Sequence, residues 1–203
     1  LTKKVVEGTG VRQARYYLAL RYDFERNAEA VVAAAAETLG AFPVFVKPCS
    51  QGSSVGVAKA NNLLELAEGL TEAFKLDTKV LVEEFIDGHE VECAVLGNLE
   101  PQASTVGEIA PTQEFYTFDA KYKDESSRLY IPAHITDEQL QTVRQDAIRV
   151  YTALGCRGLS RVDFFVTHDS GEVVFNELNS IPGFTSISMY PKLFDYEGIG
   201  YSE

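Results

Sequence analysis

Residues 158–179 read GLSRVDFFVTHDSGEVVFNELN. Two apolar-rich runs, 158–166 and 172–179, flank an Asp-Ser-Gly turn, the pattern of a β-hairpin. Successive strand side chains point to opposite faces, so Arg161 and Asp163 share one face and Val162 and Phe164 the other. On the partner strand Glu177 and Asn179 share a face, opposite Leu178. A turn centred on Asp169 to Gly171 sets Asp163 across from Glu177. Facing carboxylates repel, so a shared proton, Arg161 or a cation must offset them. Asp, Glu and Asn all offer oxygen, the ligand set of Mg²⁺, which keeps waters and binds alongside substrate phosphates. Alternation alone leaves two readings open: a divalent-cation site, or a solvated face with a salt bridge to Arg161.

Elements around this hairpin alternate between helix and strand. Thr136 with Gln139 forms a capping-box pattern for a helix that runs to Leu154 and stops at Gly155. Residues 79–85 and 89–97 read as strands around an Ile-Asp-Gly turn, and 103–109 as another. Nearer the start, FPVFVKP (42–48) and VGVAKA (55–60) are strands joined by the small-residue loop Ser50 to Gly56. An Ala-rich helix over 29–39 ends at Gly40, and Asn61 or Asn62 caps a helix running to about Lys75. The opening LTKKVVEGTGV is a short helix running into a turn. Residues 114–132 form a long functional loop, and 180–194 a second loop with a short helix. Hairpins set between helices predict an α+β fold of two lobes, 1–87 and 88–203, rather than a doubly wound parallel sheet.

Composition narrows the function. Lys and Arg total 18 against 30 Asp and Glu, a formal net charge of -12 over 203 residues. Such a chain does not grip nucleic acid or an anionic membrane through its overall field. Its longest apolar run, Ala28 to Ala36, is broken by Glu29 and too short to span a bilayer. No signal-peptide pattern opens the chain, and three separated cysteines in apolar surroundings read as reduced core thiols of a cytoplasmic protein. Three histidines without a CxxC give no zinc spacing.

Further groups each carry two readings. Lys47 stands just before the Gln51-Gly52-Ser53-Ser54 run, where small residues let backbone N–H groups approach an anion. A flexible hairpin tip is the plainer alternative. Glu83, Glu84 and Glu90 lie around a strand–turn–strand, as a solvated acidic edge or as acceptors for an adenine amino group and ribose hydroxyls. Lys121 and Tyr122 lie on the long aromatic loop, as surface residues or as a lid over a phosphate.

The segments FPVFVKPCSQGSSVGV, VLVEEFIDGHEVECAVLG, FYTFDAKY, LGCRGLSRVDFF and FNELNSIPGFTSISMYP occur in this order. Together they resemble the D-alanine–D-alanine ligases of the ATP-grasp superfamily, over about residues 41–195. The resemblance implies two α+β lobes with mostly antiparallel sheets clasping ATP between them. It implies that Lys47 contacts the ATP α- and β-phosphates and that Ser53 and Ser54 belong to a closing loop, with Ser53 hydrogen-bonded to Tyr122. Glu83 would accept from the adenine amino group, the backbone at Glu84 and Ile86 would read the adenine edge, and Glu90 would hold the ribose. Phe115 would pack on the base and Lys121 touch the transferred phosphate. Asp163, Glu177 and Asn179 would hold two Mg²⁺ ions, with Mn²⁺ as a substitute.

The implied reaction activates the carboxylate of D-alanine as an acyl phosphate and transfers it to the amine of a second D-alanine, for peptidoglycan synthesis. Arg161 and the Gly183 N–H would stabilise the oxyanion, and Ser188 and Met189 would line the second-substrate pocket. Tyr122 in its AKY segment and an apolar Met189 favour D-alanine over D-lactate or D-serine. The family's preceding lobe, which binds the first D-alanine, is absent from these residues. An ATP-binding unit without turnover is therefore the alternative from another class. Relatives are commonly homodimers.

Overall fold

The computed structural model describes residues 1–110 and 128–202. The expectations placed on Phe115, Lys121 and Tyr122 lie outside the described residues. Backbone contacts divide the chain into two compact units. One comprises residues 14–86. The other comprises residues 1–13 with 87–110 and 128–202.

The first unit contains β1 (Tyr16–Leu20), α2 (Arg21–Arg26), α3 (Ala28–Leu39), β2 (Val44–Pro48), β3 (Ala58–Ala60), α4 (Leu63–Leu76) and β4 (Lys79–Glu84). Its sheet is antiparallel, in the order β1-β4-β2-β3. Strand alternation turns Val44, Val46, Val80 and Val82 to one side, where they pack with Ala35 and Leu39 of α3 and Leu66, Leu70 and Ala73 of α4. Local signals set the helix ends. Asn27 Oδ1 accepts from Ala30 N at 3.0 Å, Asn62 Oδ1 accepts from Glu65 N at 3.0 Å, and α3 stops at Gly40 in the left-handed region. Gly69 lets α4 approach the sheet, since a β-carbon there would lie 3.2 Å from Val46 Cγ2.

The second unit contains α1 (Thr2–Val6), β5 (Gly88–Gly97), β6 (Gln102–Ala110), β7 (Arg128–Tyr130), α5 (Asp137–Ala153), β8 (Gly158–Thr167), β9 (Val173–Asn179) and α6 (Met189–Tyr196). Its antiparallel sheet has the order β7-β6-β5-β8-β9. Val91, Cys93, Val162, Phe164 and Phe175 pack with Val143, Ala147 and Tyr151 of α5. Tyr151, fully buried, donates its hydroxyl to Gly97 O at 2.7 Å and lies 3.1 Å from Gly158 O, tying the end of β5 to the start of β8. The capping box of α5 forms as read, with both Thr136–Gln139 bonds present. Residues 12 and 13 run along the free side of β9, where Phe175 N donates to Arg12 O at 2.8 Å and Gln13 bridges Phe175 in parallel.

Three features depart from the sequence reading. β1 and α2 fall in residues 12–28, where no periodicity stood out. Residues 128–130, read as loop, pair with β6. Cys49 is exposed rather than a core thiol, because it follows Pro48 at the end of β2. Cys93 is the core thiol, and burial pushes it up to about 12. All three cysteines are free, and among the described residues no helix is long and apolar enough to cross a membrane.

All three histidines gather on this unit, two of them against the buried Glu108. His89 Nδ1 lies 2.7 Å from Glu108 Oε1, and Glu108 Oε2 accepts from His134 N at 2.9 Å and faces His134 Nδ1 at 3.0 Å. The His168 ring meets His89 edge-on at 4.6 Å. Burial opposes the charge on Glu108, but the His134 N–H and the His89 and His134 rings outweigh it and hold the carboxyl below its ordinary value. A carboxyl depressed on folding stabilises the fold above its unfolded pKa, and that contribution fades as pH falls through the folded value. Thermal unfolding of wild type and Glu108→Gln should therefore differ fully above the ordinary carboxylate range, from about pH 5 upward, and converge as the pH falls through and below it. A gap that stays constant across this range would show that Glu108 ionisation does not matter.

Candidate functional site

In the first unit the candidate groups lie on the sheet face turned away from α3 and α4. Phe45 is in register with Glu83 on β4 and with Lys59 on β3. Lys47 Nζ sits 2.6 Å from Glu83 Oε2 and 5.9 Å from the centre of the Phe45 ring. Lys59 Nζ stands 4.8 Å over Phe85. Glu83 is only 3% exposed, so its charge is balanced inside the sheet face by the lysine. This face offers two aromatic rings, two cations and a carboxylate acceptor across β3, β2 and the end of β4.

Glu84 points elsewhere. Arg15 N and Nε donate to its two carboxylate oxygens at 2.9 and 2.7 Å, and Glu84 N donates to Arg15 O at 3.0 Å. The Glu84 N–H is therefore engaged by the Arg15 carbonyl. Ile86 follows, half-buried, in the link to β5.

The Ser50–Gly56 loop leaves the end of β2 beside this face. Ser53 and Ser54 both adopt left-handed backbone angles, φ 53° and 60°. L-residues pay for that conformation, and such strain gathers at ligand clamps. Its stem is held by Cys49 N to Lys79 O at 3.1 Å and by Ser50 N to Asp77 Oδ2 at 2.6 Å. Asp77 also accepts from Thr78 N and Lys79 N at 2.6 and 3.2 Å. Burial opposes the Asp77 charge, but the Ser50 hydroxyl and these N–H groups outweigh it and hold the carboxyl below its ordinary value. Asp77 escaped the sequence reading because it ends a helix without any motif. A loop of small residues requires some such anchor, and that was the available signal.

In the second unit the register brings four positions into one row: Gly107 on β6, Glu92 on β5, Asp163 on β8 and Glu177 on β9. Arg161 Nε and Nη2 donate to Asp163 Oδ1 and Oδ2 at 2.8 and 2.7 Å, and Nε lies 3.1 Å from Glu92 Oε2. Asn179 Nδ2 donates to Asp163 Oδ2 at 3.1 Å and to Glu177 Oε1 at 3.2 Å. Burial opposes the Arg161 charge, but Asp163, Glu92 and Glu177 more than offset it and hold the guanidinium above its ordinary pKa. Glu90, two residues before Glu92, shares its face and is half-buried. Glu92 went unread because a single strand does not reveal its neighbours.

The tail supplies the rest of this face. The Thr185–Ser188 turn closes with Ser188 N to Thr185 O at 3.0 Å and Thr185 N to Ser188 Oγ at 3.1 Å. A β-carbon on Gly183 would lie 3.0 Å from Ser188 Oγ, so these two residues sit together. Met189 starts α6 and is buried, and a β-carbon on Gly107 would lie 2.6 Å from its sulfur. It therefore stands over the Gly107 end of the carboxylate row.

Among the described residues no group of three or more His, Cys, Asp or Glu is disposed as a metal centre. The trio Asp163, Glu177 and Asn179 holds two acids and one amide. Its donor chemistry fits Mg²⁺: every ligand atom is oxygen once the Asn179 amide turns its Oδ1 inward, and no soft donor competes. Asp163 is engaged by the Arg161 fork, so a cation there would meet the charge of that guanidinium.

A profile of the family described as D-ala D-ala ligase C-terminus matches residues 5–203. The chain belongs to this family. It is 48% identical over 202 residues to the D-alanine–D-alanine ligase of Clostridium novyi, covering all of this chain and 59% of that protein. It is 50% identical over 201 residues to the D-alanine–D-alanine ligase of Acetivibrio thermocellus, covering 99% of this chain and 53% of that one. Among solved structures it resembles the VanG D-Ala:D-Ser ligase from Enterococcus faecalis, with TM-score 0.87 and 41% identity over 99% of this chain and 57% of that one. It also resembles the D-alanine–D-alanine ligase from Coxiella burnetii, with TM-score 0.80 and 33% identity over 98% of this chain and 52% of that one. The chain thus spans little more than half the length of the relatives it matches. Its two α+β units with antiparallel sheets are the ATP-grasp fold of D-alanine–D-alanine ligases.

Asp77→Ala removes the acceptor for the Ser50 N–H. It should destabilise the protein by about 1–2 kcal/mol in urea unfolding, and Asp77→Asn, which keeps an acceptor oxygen, by less. Equal stability of all three proteins would remove Asp77 from the loop stem.

Proposed function

We propose that the protein containing this chain is an ATP-dependent ligase that joins two D-alanines into D-alanyl-D-alanine for peptidoglycan synthesis in the cytoplasm. One observation carries the reading: Arg161, Asp163, Glu177 and Asn179 converge on one sheet face in a member of the ligase family.

A free carboxylate is a poor acyl donor because its leaving group would be oxide. In the proposed first step a D-alanine carboxylate oxygen attacks the γ-phosphorus of ATP, the bond to the β-phosphate oxygen breaks, and ADP leaves. The product is an acyl phosphate. The amine of the second D-alanine then attacks the acyl carbon, phosphate leaves and the amine loses a proton.

The residues of this chain divide the work. Lys47, Ser53 and Ser54 bind phosphates at the loop, while Glu83, the Glu84 and Ile86 backbone, Glu90 and Phe115 bind adenosine. Lys121 contacts the transferred phosphate, and Tyr122 closes on Ser53. Asp163, Glu177 and Asn179 would hold two Mg²⁺ ions, or Mn²⁺ in their place. The metal supplies charge neutralisation on phosphate oxygens. Arg161 and the Gly183 N–H stabilise the oxyanion. Ser188 and Met189 border the second substrate, and the buried thioether offers nothing to a hydroxyl. The two units clasp the nucleotide, with residues 1–13 belonging to the unit of residues 87 onward rather than to a first lobe of 1–87, and the full-length protein forms a homodimer.

A second reading, D-serine as the acceptor, is supported by the 41% identity to a D-Ala:D-Ser ligase, and D-lactate is the remaining alternative acceptor. Phosphate release from Mg-ATP by the full-length protein separates the two, using D-alanine alone, D-alanine with D-serine, and D-alanine with D-lactate. The expected result is release with D-alanine alone, with the dipeptide seen by mass spectrometry. Release only with another acceptor overturns the substrate, and nucleotide binding without release under any condition overturns the reaction.

Arg161→Ala should lower kcat by about 10²-fold or more while ATP affinity changes little. Equal losses in turnover and ATP affinity would count against the oxyanion role.

A further inference from the structure

Arg161 stands between two buried carboxylates on adjacent strands. Its fork fills both oxygens of Asp163, while Nε lies 3.1 Å from Glu92 Oε2. Glu92 and Asp163 face each other in register and are each 3% exposed. A divalent cation on Asp163 would share the two oxygens that the guanidinium already engages, and the two positive charges repel at that distance. The fork and the metal are therefore alternatives.

A guanidinium displaced into a largely buried site without a counter-ion is strongly disfavoured. Glu92 supplies one already in contact, so Arg161 needs only to turn about its own side chain. At the other side of Glu92 the row ends on Gly107, and Met189 and Leu193 fill the space over it.

We propose that Glu92 is a positioning residue: it receives Arg161 when a divalent cation takes Asp163, and so lets metal loading set the arginine in its working place. This rests on the reading of Asp163, Glu177 and Asn179 as the metal site. Glu92 does not touch substrate in this account. It acts by making the Arg161–Asp163 pair breakable at low cost. Arginine placement and metal occupancy then become one coupled event, and the oxyanion donor is released only once the cation is bound.

Mn²⁺ binding to the full-length protein with a non-hydrolysable ATP analogue, followed by electron paramagnetic resonance, tests this without turnover. Glu92→Gln should weaken Mn²⁺ roughly tenfold, in the range for outer-shell partners, because Arg161 then stays on Asp163. In an Arg161→Met background the same Glu92→Gln change should cost less than about twofold, because no arginine competes. Glu92→Asp keeps the charge with a shorter reach and should fall between. It also serves as the test variant if Glu92→Gln does not fold.

Equal weakening in both backgrounds would mean that Glu92 acts on the metal directly, which overturns the positioning role. Unchanged affinity in Glu92→Gln, with Asp163→Asn losing Mn²⁺, would overturn it while leaving the metal site standing. Normal Mn²⁺ binding by Asp163→Asn would remove the metal site itself.

Discussion

Three carboxylates, Glu92, Asp163 and Glu177, lie in one row across a single sheet, and one guanidinium stands among them. Charge balance in that row is the constraint on which the second unit turns. Carboxylates this close repel unless cations or protons intervene. Arg161 offsets part of the repulsion, and the Asn179 amide bridges two of the three. What remains is a negative face prepared for a further positive charge. The row exists because antiparallel register brings residues 14 and 71 positions apart side by side, and the α5 side of the same strands is a close-packed apolar core that holds the register.

The first unit solves a different problem. Its sheet buries one face under α3 and α4 and turns aromatic and charged groups to the other. A lysine–glutamate pair at 2.6 Å fixes the centre of that face, while the loop beside it carries two serines in the left-handed region. The rigid part and the strained part are joined at Asp77, whose carboxylate gathers three backbone N–H groups at the end of α4. A loop that must approach an anion closely is thus anchored at its stem, by Asp77 and by the Cys49–Lys79 backbone bond.

Much of this was legible in the sequence, for identifiable reasons. The 158–179 hairpin could be read because turn residues and strict alternation fix register, and the pairing of Asp163 with Glu177 followed. Capping at Thr136 and glycine stops at Gly40 and Gly155 are local effects, so they too could be read. Glu92, Asp77 and Arg15 could not, because each acts through a partner on another strand or helix. The pairing of Arg15 with Glu84 spans 69 residues, and nothing in either neighbourhood announces it. Likewise β1 has five residues with little alternation, and β7 has three, too few for periodicity to speak.

The opening residues carry a further consequence. Arg12 and Gln13 lie along β9, which is otherwise the border of the five-stranded sheet. An uncovered border strand offers unpaired amide and carbonyl groups to any other chain that can extend along it. A fragment cut at residue 87 would keep every strand of that sheet yet lose this cover. It would tend to self-associate through β9 rather than stay monodisperse. Residues 12 and 13 act as a guard rail for a sheet whose strands begin more than seventy residues later, so dissection of this protein has to follow contacts rather than chain order.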